Sequence, residues 1–152
     1  MKSESEFISE QLQAICDGEP WYGDSVFKIL EGVTAAQAAA RPLSKSHTIW
    51  EIVRHLIGWT IVDRRRLQGE NERQPKEGDW PAPGTSVAEW QADLARFKQA
   101  MQDLSKAMHE LPEPSYEKIL ARGSGTYRGQ MHGALQHIVY HSAQIAILKK
   151  SL

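Results

Sequence analysis

The sequence predicts an all-α protein, an up-and-down four-helix bundle with an extra short N-terminal helix. Three observations lead there. Apolar residues recur at spacings of three and four over nearly the whole chain, no stretch alternates as a strand would, and capping boxes stand where the periodic stretches begin. A chain of 152 residues can bury one core and is short for two, so a single domain over residues 1–152 is expected.

The first helix runs from about Ser5 to Cys16, with Phe7, Ile8, Leu12 and Ile15 on one face, and breaks at DGEP, where Gly18 ends it and Pro20 can open the next. A second segment, Pro20 to about Glu31, turns Trp21, Val26, Phe27 and Leu30 inward. Thr34 and Gln37 form a capping box before AAQAAA, a short helical turn closed ahead of Pro42. The first long helix opens at Thr48, boxed by Glu51, and reaches about Gln68. QGENERQPKEGDWPAPGTS follows as a surface loop rich in Pro, Gly and charge. Ser86 and Glu89 box the next helix, whose Trp90, Leu94, Phe97, Met101, Leu104 and Met108 face inward until Leu111 and Pro112. After ARGSGTYRG, the last helix spans about Tyr127 to Lys150, with Lys149 and Lys150 at its negative end.

Composition removes several classes of function. Hydrophobic residues at 41%, charged residues at 24% and a formal net charge of −1 leave nothing to attract nucleic acid or an anionic membrane, so neither is expected as a partner. A single cysteine, Cys16, rules out an intramolecular disulfide framework and fits a reducing compartment. The N-terminal residues are acidic and lack the apolar run of a secretory signal, and no run approaches the roughly 18 apolar residues of a membrane span. The expected location is the cytoplasm.

LQHIVYHSAQIAIL raises the functional question. Ala134, His137, His141, Ile145 and Leu148 fall on one helical face, so two imidazoles lie one turn apart among apolar residues. That suits joint ligation of one metal ion, but HxxxH pairs also arise by chance, and a catalytic site needs a third ligand. His47, His109 and His132 lie at helix ends and are expected at one rim of the bundle. His55, within WEIVRHLIGW, lies inside a helix. At 1.5 Å per residue it sits about 10 Å in, against about 15 and 21 Å for His137 and His141; parallel helices would bring it within about a turn of the pair.

Other residues are read more plainly. Gln144 and Tyr140, each three residues beyond a histidine of the pair, are candidate supports: Gln144 for a ligand or a bound water, Tyr140 through its hydroxyl. Trp59, one turn after His55, can wall a pocket. Trp21 and Trp50 are assigned to the core, Asp63 to a surface salt bridge, and Arg64 to Arg66 to a solvated face. Trp80, in DWP, can cap a pocket or a dimer interface, or pack over the bundle end. GSGTYRG is no dinucleotide fingerprint, and His141 and Ser142 point about 100° apart, which argues against a nucleophile–base pair.

HTIWEIVRHLIGWTIVDRRRLQGE, DWP and LQHIVYHSAQIAILKK together resemble the DinB/YfiT-like superfamily, from Trp21 to the end of the chain. The resemblance implies a four-helix bundle with one divalent transition metal, nickel or zinc, on His55, His137 and His141. Members include thiol-dependent transferases and a maleylpyruvate isomerase, so it implies a small-molecule substrate, a low-molecular-weight thiol among the candidates. It also implies a homodimer. An ion on three neutral histidines would stay Lewis-acidic, so activating water would make a hydrolase and holding a thiolate a thiol transferase. The rival readings are a non-catalytic metal or small-molecule binding protein of the stress response and a structural helical dimer whose histidines are core hydrogen-bonders.

Overall fold

The computed structural model describes residues 1–152 and is helical; its β pairing is a single isolated bridge between Ile119 and Thr126. The helices are α1 (Glu4–Asp17), α2 (Val26–Leu30), α3 (Ala35–Ala39), α4 (Ile49–Leu67), α5 (Val87–His109) and α6 (Tyr127–Lys150), with a 3-10 turn at Glu113–Ser115. The expected all-α bundle is what forms, α1 being the shorter of its four members. Its boundaries follow local chemistry. Thr34, Thr48 and Ser86 each close the capping box read from the sequence, and Ser3 with Glu6 closes a further one on α1. Each N-cap stabilises its helix by about 1 kcal/mol.

Cross-helix bonds fix the directions. His55 meets His137 and Asp63 meets Gln130, so α4 and α6 are antiparallel. Asp17 pairs with Lys98 while Ser9 meets Ser105, so α1 and α5 are antiparallel too. Glu4 meets His132 at the start of both α1 and α6, and Ile15 shares a hollow with Val139, so these two run together. It follows that α4 and α5 are parallel, so the four-helix bundle holds but its consecutive helices do not all alternate as in the expected up-and-down order, and the segment 68–86 must carry the chain back along the bundle. The parallel α4 and α6 assumed for the depth of His55 is therefore replaced by an antiparallel pair. The depths still agree, because all three histidines lie near mid-helix.

The return segment is bound to α4. Arg66 donates to the carbonyls of Glu72 and Arg73 at 2.8 and 2.9 Å, and Arg54 to that of Ala82 at 2.6 Å. Gly58 allows this packing, since a Cβ there would lie 2.8 Å from Pro75. Arg66 is consequently buried, not solvated as expected of the arginine run.

Trp50, Trp90, Phe97, Leu104 and Met108 are fully buried at the centre. Trp50 donates its indole N–H to Asp93 at 2.7 Å and Trp90 to the Val33 carbonyl at 2.9 Å, which removes the cost of burying each N–H. Two expected core residues face outward. Trp21 is 100% exposed because residues 20–25 turn, and the helix begins only at Val26. Phe7 is 55% exposed, on the outer edge of α1.

Candidate metal centre

The centre sits in the α4/α6 seam. The helical period of α6 stacks His137 and His141, and α4 brings His55 opposite them. The three rings form a near-equilateral triangle with centroids 5.0, 4.7 and 4.7 Å apart, inclined to one another by 73°, 68° and 80°. One ligating nitrogen from each lies within 4.8 Å of the other two, and the Nε2 atoms of His55 and His137 are 3.0 Å apart. An ion at about 2.0–2.1 Å from each imidazole spaces two nitrogens by about 3.3 Å, so the cluster has the scale of one coordination shell.

Bonds behind the rings orient them. His55 Nδ1–H donates to the Asp79 carbonyl at 2.8 Å, and His141 Nδ1–H to the Gln144 amide oxygen at 2.6 Å. A carbonyl can only accept, so both rings carry the proton on Nδ1 and turn a bare Nε2 inward, the tautomer a metal needs. Burial lowers the pKa of all three; His137, with His141 and His55 beside it, falls to about 4. At neutral pH the site presents three uncharged donors, a set that fits a divalent transition ion.

The loop supplies a second layer that the sequence reading only touched. Trp80 stacks on His55 with centroids 3.9 Å apart and planes 10° from parallel; His47 stacks on the other face of the indole at 3.6 Å and 2°. His47 is thus at the end of the bundle opposite His109, which faces Ser9, and His132, which pairs with Glu4, so the three do not share a rim. Trp59 donates its N–H to Asp79 Oδ1 at 2.7 Å and stands edge-on to His137.

A groove of about 330 Å³ opens on the centre, lined by His55, Trp59, Asp63, Asp79, Gln130, Gly133, Ala134 and His137. Trp59 is a wall of it. Gln144 lies behind His141. Tyr140 sets its ring edge against His141 at 4.9 Å but is 62% exposed and belongs to another hollow, with Trp21 and Val139. Asp63 is not at a surface salt bridge: it is 6% exposed, and burial raises its carboxyl to about 7. Asp79 and Gln130 were missed. One acts largely through a loop carbonyl, which has no signature, and the other is a helical glutamine identified only by its partner.

The sequence profile of the DinB superfamily matches residues 23–145, which include all three histidines. No curated protein and no solved structure matches the chain. No helix is long and apolar enough to cross a membrane.

Proposed function

This chain belongs to the DinB superfamily, and from that premise we propose that it holds one divalent transition ion on His55, His137 and His141 and acts as a metal-dependent thiol transferase or hydrolase. The observation carrying this reading is the convergence of three neutral imidazoles, two with Nδ1 bonded from behind, at the mouth of a groove. Three such donors add no negative charge, so a bound ion keeps the Lewis acidity that lowers the pKa of water or holds a thiol as thiolate. The chain's own residues do the rest. Asp79 and Gln144 hold two rings in register, Trp80 covers the face of His55, and Trp59 walls the space where a small molecule would lie.

Elemental analysis of untagged protein, followed by turnover assays pairing low-molecular-weight thiols with electrophiles and separately with esters, tests the reading. The expected result is about one zinc or nickel per chain and turnover in one of the two assays. Metal-free protein as isolated and after reconstitution would overturn it.

One observation favours the rival reading of a non-catalytic metal or small-molecule binding protein. Asp79, the carboxylate bonded beside the centre, is engaged by Trp59 and is 3.2 Å from His55, leaving it poorly placed to move a proton. Full metal content with no turnover across both assays selects that reading. The homodimer belongs to the same proposal: Trp21 stands exposed beside a hollow lined by Ile15, Leu135, Val139 and Tyr140, an apolar surface that a second copy would cover. Sedimentation should give a dimer that Trp21→Ser weakens; a monomeric wild type at micromolar concentration would count against it.

A further inference from the structure

Asp63 is a buried titratable group that the metal centre does not use. It lies eight residues beyond His55 on α4, with Trp59 between them, and Gln130 lies seven residues before His137 on α6. All five line the same groove. Gln130 Nε2 donates to Asp63 Oδ1 at 2.7 Å. The nearest guanidinium nitrogen, from Arg66, is 3.9 Å from that oxygen, and Arg66 directs its hydrogen bonds to the Glu72 and Arg73 carbonyls. Asp63 Oδ2 receives no hydrogen bond from the chain, although the residue is only 6% exposed and lines the groove. In a residue this buried, an accessible carboxyl oxygen that the chain leaves without a donor is open to one arriving through the groove.

Resting on the metal reading above, we propose that the groove end formed by Trp59, Asp63 and Gln130 is a substrate subsite for a hydrogen-bond-donating group, a hydroxyl or an ammonium, about 10 Å along the helices from the metal-ligating end of an elongated substrate. The lining explains the choice. It offers carboxyl and amide oxygens and contains no lysine or arginine. The nearby Arg66, over the Trp59 ring and 3.9 Å from Asp63, directs its hydrogen bonds to loop carbonyls, and the Asp63 carboxyl itself disfavours a carboxylate or phosphate at this end. Burial raises the Asp63 carboxyl to about 7, which a bound donor would reverse. The substrate class is therefore a thiol, or another metal-ligating head, joined by a slender chain to an amino or hydroxyl terminus.

The test uses untagged protein loaded with cobalt(II) and titrated, by its ligand-to-metal absorption, with 1-octanethiol, 8-mercapto-1-octanol and 8-amino-1-octanethiol. Wild type should bind at least one of the polar-ended thiols about tenfold or more tightly than 1-octanethiol, and which one distinguishes hydroxyl from ammonium. Asp63→Asn turns a donor toward the groove and should abolish that preference at unchanged metal content. Gly133→Leu guards against misfolding of the first variant, since a Cβ there meets nothing within 4 Å. It should weaken all three octyl ligands while leaving 2-mercaptoethanol unaffected. Equal affinity of the three thiols for wild type, or a preference kept by Asp63→Asn, overturns the subsite. If metal is bound but no thiol is, the thiol reading fails, and hydroxamates bearing the same three tails decide the subsite by the same comparison. Absence of metal binding overturns both.

Discussion

Two seams of this bundle carry polar side chains with a histidine among them, and they treat these differently: His109 at the α1/α5 seam is exposed, whereas His55 and His141 at the α4/α6 seam are buried. In the α1/α5 seam, Ser105 donates to the Ser9 carbonyl at 3.1 Å, Gln13 to the Ser105 hydroxyl at 3.1 Å, and Ser9 to the Glu6 carbonyl at 2.8 Å, with His109 Nδ1 3.5 Å from the Ser9 hydroxyl. Each of these donors ends on an acceptor of the chain. In the α4/α6 seam His55 and His141 direct their donors outward, to Asp79 and Gln144, and turn bare Nε2 atoms inward, that of His55 lying 3.0 Å from Nε2 of His137. A buried polar cluster such as Ser9 and Ser105 is structural when its members complete one another. Buried imidazoles mark a binding site when more than one is left with a bare nitrogen and no donor to meet it.

Four measurements sharpen or break this contrast. The largest effect should come from His137→Ala, which is expected to lower metal occupancy by an order of magnitude or more while far-ultraviolet circular dichroism stays nearly constant. Undiminished metal in that variant would erase the distinction between the seams. Asp63 gives the next. Its folded pKa of about 7, raised by burial, lies above the ordinary value of 3.8, so its contribution is fully present below pH of about 4 and is lost as pH rises through about 7. Wild type should lose up to about 4 kcal/mol between these limits that Asp63→Asn does not, read by urea unfolding across the range. A third effect is smaller. Chelation from a hundredfold excess over the dissociation constant should remove about 2.7 kcal/mol, or roughly 5–10 °C in Tm. Last, Ser105→Ala should cost about 1 kcal/mol in calorimetry, by the same amount with and without metal. A metal-dependent cost there would mean that the two seams are coupled.

Much of this was legible in the sequence because it is local. The boxes at Thr48 and Ser86 mark helix starts through bonds three residues long, and HxxxH on one face needs only the helical period. His55 was legible as a histidine well inside an apolar helix. What could not be read depends on how the chain returns. The run from Gln68 to Ser86 has no period, so neither its path along α4 nor the place of Asp79 and Trp80 behind His55 could be deduced. Asp63 looked like a surface charge because its partner, Gln130, comes from α6, which sequence spacing cannot place. Trp21 looked like core because its spacing continues a helix that begins five residues later.

That return segment has a consequence for anyone who would engineer the protein. By composition it is an obvious place to insert a tag, a linker or a new terminus. Yet the arginines at 54 and 66 grip it at both ends, and the carbonyl of Asp79 and the ring of Trp80 are matched to one imidazole between them. One residue added between Arg73 and Ala82 would shift that match by the length of a peptide unit. The most permissive-looking stretch of the chain is therefore among its least editable, and graft sites are better sought at the exposed turn around Gly123.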